Sequence, residues 1–276
     1  MDLVDSKHIL IVGFGITGKS IANYCIKKKI PFSIYDQKQS TEVIKQSPLS
    51  ALAKNIYSGL LTEDIFENVD GVAMSPGVDP RNPIFKKIKR SGMLFFNDLD
   101  LFAHEIKNKS IKLIGITGSN GKTTVASLIK CLLDQYQVNA KLVGNIGTPI
   151  LDIVDELNND FVVMEASSFQ LELGTSLQFD IGVILNITED HMDRYDSFKD
   201  YIEAKFNLFK RSKIKIINYD DPVTHEWFDL NTIRLSSSEK NLKKVDYYLA
   251  KEGKRSFTIK NHKNEINLPQ IGRAHV

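Results

Sequence analysis

The run Thr117-Gly118-Ser119-Asn120-Gly121-Lys122-Thr123-Thr124 carries the plainest chemistry in this chain. Glycine-rich backbone can wrap a phosphate chain, Lys122 can reach β- and γ-phosphates, and the Thr123 hydroxyl can ligate Mg²⁺. The strict P-loop pattern asks for glycine where Ile116 stands, so this is a variant. Gly118, Ser119, Asn120, Gly121, Lys122, Thr123 and Thr124 are therefore the expected ATP-phosphate contacts. A second glycine cluster, Gly13-Phe14-Gly15-Ile16-Thr17-Gly18, follows an apolar run and opens a helical pattern, and Asp36 closes the next apolar run. That is the context of a dinucleotide fingerprint, in which glycines let backbone N–H groups approach a diphosphate at a helix N-terminus. Any diphosphate obeys the same physics, so NAD, FAD and a UDP-sugar all remain open.

Three further features could complete a site. Glu165 ends the apolar run Phe161 to Met164 and precedes Ser167-Ser168-Phe169-Gln170. A carboxylate beyond the carboxyl end of a parallel strand, across from a P-loop, is a natural Mg²⁺ ligand; a solvated loop acid is the alternative. The run Asn186-Ile187-Thr188-Glu189-Asp190-His191-Met192-Asp193-Arg194-Tyr195 follows the apolar stretch ending at Leu185, so it reaches the same edge. His191 there could ligate a metal, orient a phosphate or serve a structural hydrogen bond. Helical projection places Lys205 within the apolar stripe of Phe198, Tyr201, Ile202 and Phe209. It must snorkel or be desolvated, and a desolvated, neutral amine can react with CO₂ to give an anionic carbamate.

The elements that must hold these residues alternate strand and helix. His8 to Val12, Phe32 to Tyr35 and Gly71 to Met74 read as strands; Ile16 to Lys29 and Pro83 to Arg90 read as helices, the second stopped by Gly92. A second series follows, with strands at Ile111 to Ile116, Phe161 to Met164 and Ile181 to Leu185, and helices at Gly121 to Gln135 and Ser197 to Arg211. Beyond Lys213 the pattern shortens to small strands, with a hairpin expected near Glu252-Gly253. This rhythm predicts an α/β fold: a Rossmann-like N-terminal domain over 1–97, then a P-loop mononucleotide-binding α/β domain over 98–270.

Composition narrows the field. The chain has 276 residues, 42% hydrophobic and 25% charged, which excludes a disordered or fibrous protein. Its net charge of +2 offers no basic field for nucleic acid. No apolar run approaches the ~20 residues of a membrane helix, and Met1 to Lys7 lacks the apolar core of a signal peptide. Two cysteines, Cys25 and Cys131, make no disulfide framework, which points to the cytoplasm. The last six residues, Ile271 to Val276, back-translate to a common sequencing-adapter read and are expected to be a non-native tail.

Taken together, the motifs resemble the Mur ligase family, ATP-dependent amide-forming (acid–amino acid) ligases of peptidoglycan synthesis. Glu165 with Ser167-Ser168-Phe169-Gln170, Gly144-Asn145-Ile146-Gly147 and Asn186 to Tyr195 look like its D-glutamate-adding branch. The resemblance implies a three-domain ligase, of which the second domain would be incomplete at its C-terminus, the C-terminal domain missing here and this piece inactive alone. It implies UDP-N-acetylmuramoyl-L-alanine, D-glutamate and ATP as partners, a monomer, and a role in cell-wall growth, cell shape and division. Ile16, Thr17, Asp36, Ser75, Gly77, Asn145, Ser167 and Gln170 would hold the UDP-sugar substrate. Thr123 and Glu165 would ligate one Mg²⁺, and His191 with a carbamylated Lys205 the second. Lys122, His191 and Lys205 would be the catalytic set. Two rival readings stand beside this one: an NAD-dependent dehydrogenase resting on Gly13 to Gly18 and Asp36, and a non-catalytic UDP-sugar-binding fragment.

Overall fold

The computed structural model describes residues 8–144, 147–158, 160–173, 176–227, 229–251, 257–261 and 265–267. The expected tail at 271–276, Asn145, and the Glu252-Gly253 turn lie outside the described residues.

The first series forms a parallel sheet from β1 (Ile9–Val12), β2 (Phe32–Asp36), β3 (Ile56–Ser58), β4 (Gly71–Met74) and β5 (Leu94–Phe96), in the order β3-β2-β1-β4-β5. β1 is fully buried and pairs in parallel with both β2 and β4. Chain order reverses at β1, so a crevice opens beyond the carboxyl ends of β1 and β4. Helices α1 (Ile16–Lys28) and α3 (Pro83–Arg90) follow those two strands, and the short α2 (Thr41–Lys45) follows β2. Lys27 and Lys28 in the last turn of α1 complement the helix dipole, and Lys29 ends it in the left-handed conformation at φ 57°. Strand β2 extends one residue beyond the expected Tyr35 and takes in Asp36.

Helix α4 (Asp98–Ile106) opens the second series on a reciprocal cap between Asn97 and Asp100. Among the described residues the second sheet runs β14-β13-β12-β11-β10-β9-β6-β8-β7. Its central strands are β6 (Lys112–Thr117), β7 (Ala140–Gly144), β8 (Phe161–Glu165), β9 (Phe179–Ile184) and β10 (Ser212–Asn218), all parallel. Helix α5 (Lys122–Gln135) packs near β7 and β8, while α7 (Phe198–Lys210) packs on β9 and β10. Strand β11 (Thr232–Ser236) continues the parallel part, and β12 (Tyr247–Lys251) pairs antiparallel with β13 (Phe257–Lys260), which pairs antiparallel with β14 (Glu265–Asn267). The antiparallel β12–β13 pair accords with the expected hairpin.

One apolar cluster joins the two sheets. It includes Phe14, Ile21 and Cys25 from the first series with Leu99, Phe102, Leu151 and Val154 from the second. Polar ties fix the same seam: the Ser20 hydroxyl donates to Asp152 Oδ1 at 2.7 Å, and the Tyr24 hydroxyl to Glu105 Oε1 at 2.8 Å. Burial of apolar area across this seam holds the two strand edges facing each other, and that placement creates the cleft described next. No helix among the described residues is long and apolar enough to cross a membrane.

Candidate active site

Helices α4, α6 (Ser168–Glu172) and α7 each carry a side-chain cap, from Asn97, Ser167 and Ser197. Helices α1 and α5 do not: they start on Gly15 and Gly121, with no side-chain acceptor for their first N–H groups. Uncapped amides at a helix start are donors waiting for an anion. These are the two helices whose glycine loops point to phosphate in the sequence.

The first loop is held from two sides. The Ser75 hydroxyl donates to the Gly13 carbonyl at 2.8 Å, tying the β4 loop to the β1 loop. Asp36 Oδ2 accepts from the Phe14 amide at 2.7 Å and from Gln39 Nε2 at 3.0 Å, and its Oδ1 accepts from the amides of Lys38 and Gln39. Burial alone would raise this carboxyl, but the bonds from Phe14, Gln39 and Lys38 more than offset it and hold it below the usual carboxylate range. Asp36 is thus saturated by protein donors. Its four bonds tie the loop after β2 to the loop after β1.

Gly18 is where backbone must approach backbone. A Cβ there would stand 1.9 Å from the Gly13 carbonyl oxygen, inside any tolerable contact. Gly18→Ala is expected to destabilise the chain by about 2–3 kcal/mol, since overpacking against rigid backbone has no rotamer to relieve it. Urea unfolding checks this, and an unchanged midpoint would refute the close approach.

The second loop follows β6. Lys122 Nζ donates to the carbonyls of Gly118 at 2.8 Å and Ser119 at 2.9 Å, folded back over its own loop. The Thr123 hydroxyl donates to Glu165 Oε2 at 2.9 Å. Glu165 is the buried last residue of β8, 3% exposed, so the solvated-acid alternative is set aside. Ser119 spends its polar groups elsewhere. Its amide donates to the Asn186 carbonyl, and its hydroxyl donates to the Thr188 carbonyl, accepts from the Thr188 amide and lies 3.0 Å from the Tyr201 hydroxyl. Asn120 is likewise paired, its backbone N–H and C=O meeting the Asn186 side-chain amide. Gly121, Thr123 and Thr124 lie exposed at the start of α5. Within this run, then, Ser119 and Asn120 bond to the next loop, and the helix start faces open space.

Lys205 departs from the snorkelling alternative. It is 2% exposed, its Nζ donates to the Gly118 carbonyl at 2.9 Å and lies 4.5 Å from the Tyr201 ring centre. Desolvation first, and the nearby Lys122 cation second, push its amine down to about 7, against a smaller opposing pull from Asp190. Two lysines therefore share one carbonyl, and that crowding of positive charge favours an anion in the loop. His191 lies in the adjoining turn at φ 54°, a left-handed conformation uncommon outside glycine. Its ring packs 5.0 Å from Phe169, and its Nε2 is 3.5 Å from Asp190 Oδ2. Asp190 is the group that both His191 and Lys205 feel.

Between the sheets lies a cleft of about 1190 Å³. Its walls include Ile16, Thr17, Asp36, Ser75 and Gly77 from the first series and Ser167 and Gln170 from the second. Every UDP-sugar residue expected from the sequence lies on it except Asn145, which is outside the described residues; Gly144 and Gly147 flank that position on the cleft wall. Ile16 is 77% exposed, a large apolar side chain presented to the cleft rather than to a core. Ser167 and Gln170 bond to one another as the reciprocal cap of α6, so they shape the wall as a unit.

Two family models match the chain. One, the Mur ligase middle domain, covers residues 116–276; the other, the MurD-like N-terminal domain of Mur ligases, covers 7–96. The chain belongs to the Mur ligase family. Among curated relatives, UDP-N-acetylmuramoylalanine–D-glutamate ligase of Coxiella burnetii (strain Dugway 5J108-111) is 35% identical over 251 residues, 90% of this chain and 54% of that protein. The ligase of the same name from Haemophilus influenzae (strain Rd) is 30% identical over 269 residues, 98% of this chain and 59% of that protein. This Mur ligase chain spans about half the length of the curated relatives it matches. Among solved structures, the UDP-N-acetylmuramate:L-alanyl-gamma-D-glutamyl-meso-diaminopimelate ligase from Neisseria meningitides superposes with a TM-score of 0.56 at 14% identity, covering 97% of this chain and 89% of that one. A pseudomurein peptide ligase type C from Methanothermus fervidus gives 0.50 at 19% identity, over 95% and 62%. These structures bear on the fold, and they agree with the Rossmann-like and mononucleotide-binding α/β sheets seen here.

Three residues of this Mur ligase that matter to the geometry carried no assigned role in the sequence: Asn186, Arg194 and Tyr201. The first two stand inside the run Asn186 to Tyr195, so the motif flagged their place, but only the folded loop shows what they touch. Among the described residues no group of three His, Cys, Asp or Glu side chains is poised around a metal. Hard oxygen donors do meet at Thr123 and Glu165, and Mg²⁺ commonly takes one or two carboxylates with the rest of its shell from phosphate and water. That pair fits such an ion.

Proposed function

We propose that the whole protein is an ATP-dependent cytoplasmic ligase that joins D-glutamate to UDP-N-acetylmuramoyl-L-alanine through an acyl phosphate. The observation that carries this is the shared cleft, where the diphosphate-type loop of residues 1–97 and the α6 loop of the P-loop domain, 98–270, line one space. The name of the curated relatives supplies the incoming amino acid.

In this reading the UDP portion lies along Ile16, Thr17 and Ser75, near the uncapped start of α1. The alanine end reaches toward His191 and the P-loop. Its carboxylate attacks the γ-phosphate of ATP, ADP leaves, and the amine of D-glutamate then displaces phosphate to form the amide. Phosphoryl transfer of this kind needs positioning and charge stabilisation more than covalent help. Lys122 stabilises the transferring phosphoryl group. Thr123 and Glu165 would hold one Mg²⁺, and His191 with carbamylated Lys205 a second; these ions would screen the repulsion between carboxylate and γ-phosphate.

Calorimetric titration of this chain with UDP-N-acetylmuramoyl-L-alanine, with NAD as the control, tests the proposal. The expected result is binding of the UDP-sugar and no heat with NAD. Binding of NAD alone would restore the dehydrogenase reading. Binding of neither by folded protein would mean that Gly13 to Gly18 does not serve a diphosphate here.

A further inference from the structure

Arg194 belongs to the His191 turn, yet its side chain leaves that turn and crosses to the first domain. Its side chain is 10% exposed, and the guanidinium lies 5.0 Å over the Phe169 ring. Nη2 donates to the Val78 carbonyl at 3.0 Å and to Glu172 Oε2 at 3.2 Å, and Nη1 pairs with Asp79 Oδ1 at 2.8 Å. Val78 and Asp79 sit in the loop after β4, next to Ser75 and Gly77 on the cleft wall. Asp79 is itself gripped by Arg81, which reaches on to Asp196 Oδ1 at 2.7 Å. At its other end, the Arg194 amide donates to the His191 carbonyl at 2.9 Å. The Phe169 ring touches both residues, each about 5.0 Å away.

We propose that Arg194 is a positioning residue that sets the offset between the Ser75–Gly77 side of the cleft and its Phe169 side, where the Phe169 ring packs on His191. This rests on the function proposed above. A planar, always-charged fork is suited to the task, because it can hold a carbonyl and two carboxylates at once while stacked on a ring. A ligand that spans both sides of the cleft senses the offset. A ligand confined to the first domain does not. Small errors in such registration are costly when two reacting groups must meet.

The test compares two probes, UDP and UDP-N-acetylmuramoyl-L-alanine, titrated into this chain. Arg194→Met is expected to weaken the longer probe about tenfold and to leave UDP within about twofold. Arg194→Lys keeps the charge but not the fork and stays weakened. Asp79→Asn, on an exposed residue that can change without threatening the fold, should weaken the longer probe in the same direction. Equal losses for both probes, or no loss for either, would overturn the proposal. A second readout needs no ligand: spin labels at Lys89→Cys and Lys199→Cys, in a Cys131→Ser background, report the distance between α3 and α7 by electron–electron resonance. Cys25 is fully buried and its thiol is pushed up to about 12, so it should stay unlabelled. The distance distribution should broaden in Arg194→Met and Asp79→Asn, but not in the surface control Lys87→Met. If the unaltered chain binds neither probe, the ligand reading fails by itself. Arg194 is then judged on the distances, and an unchanged width overturns its role.

Discussion

Lys122→Ala is expected to abolish acyl-phosphate formation in the full-length ligase while leaving UDP-sugar binding intact. Lys122 lies at the first position of α5, and its ammonium donates to the Gly118 and Ser119 carbonyls. Those are weak holds that a triphosphate oxygen can replace. In the proposed reaction the charge would then sit where negative charge gathers during transfer. Removing one preorganised donor of this type typically costs about 10²–10³ in turnover, and a charged group at the transferring phosphoryl belongs at the upper end. The cleft residues Ile16, Ser75 and Gly77 belong to the other sheet, so binding of the UDP-sugar should survive. Trapping the acyl phosphate with hydroxylamine, alongside a binding isotherm, measures both halves. Undiminished trapping would remove Lys122 from the mechanism.

The second large effect runs in two directions at once. Lys205→Met is expected to stabilise the metal-free chain and to destroy turnover of the full-length enzyme. The lysine amine titrates near 7 in the fold against an ordinary value of 10.5. Below about 7 the fold bears the full cost of a buried cation. Between about 7 and 10.5 the amine is neutral when folded and protonated when unfolded, so unfolding takes up a proton and stability rises with pH. Methionine removes that cost, with a gain of a few kcal/mol below pH 7, about 5 at most, that fades towards pH 10. The Gly118 carbonyl would not be orphaned, because Lys122 also donates to it. Thermal unfolding across that pH range checks the sign; a variant less stable at pH 6 than at pH 10, relative to the parent, would refute it. The lost turnover follows from the proposed carbamate. A neutral amine at physiological pH is the form that can add CO₂, and methionine cannot. A stability gain at the expense of function is the pattern expected of a residue kept for chemistry.

Much of this was legible in the residues. The βαβ rhythm placed the elements it named to within a residue or two: α1 and α3 end within a residue of the expected positions, and β9 begins two residues earlier at Phe179; it passed over β3, β5, β7, α4 and α6. Apolar runs mark buried parallel strands because both faces of such a strand are covered. Glycine loops before helices marked the two helix starts that carry no side-chain cap, because the requirement is local: close backbone approach and a free helix start. Lys205 could be flagged from periodicity, but its fate could not. Snorkelling and burial predict the same sequence position, and only the Gly118 carbonyl and the Tyr201 ring, brought by β6 and α7, decide for burial.

Asp36 and Ser119 show the same limit from the other side. Their places in the motifs suggested ligand contacts, yet their polar groups are taken by Phe14, Gln39, Asn186 and Thr188. A spacing pattern records which atoms come near a loop, not which of them are already bonded. By itself, then, the sequence determined two α/β sheets, two phosphate-type loops and the family, since each depends on contacts within a few dozen residues. The tertiary structure alone decided that the Gly13–Gly18 loop shares a cleft with Ser167, Phe169 and Gln170, that Thr123 meets Glu165, and that Arg194 crosses to Val78 and Asp79. Those contacts join segments 42 and 116 residues apart. They exist because the apolar seam of α1, α4 and Leu151 sets how one sheet faces the other, and no local pattern encodes that angle.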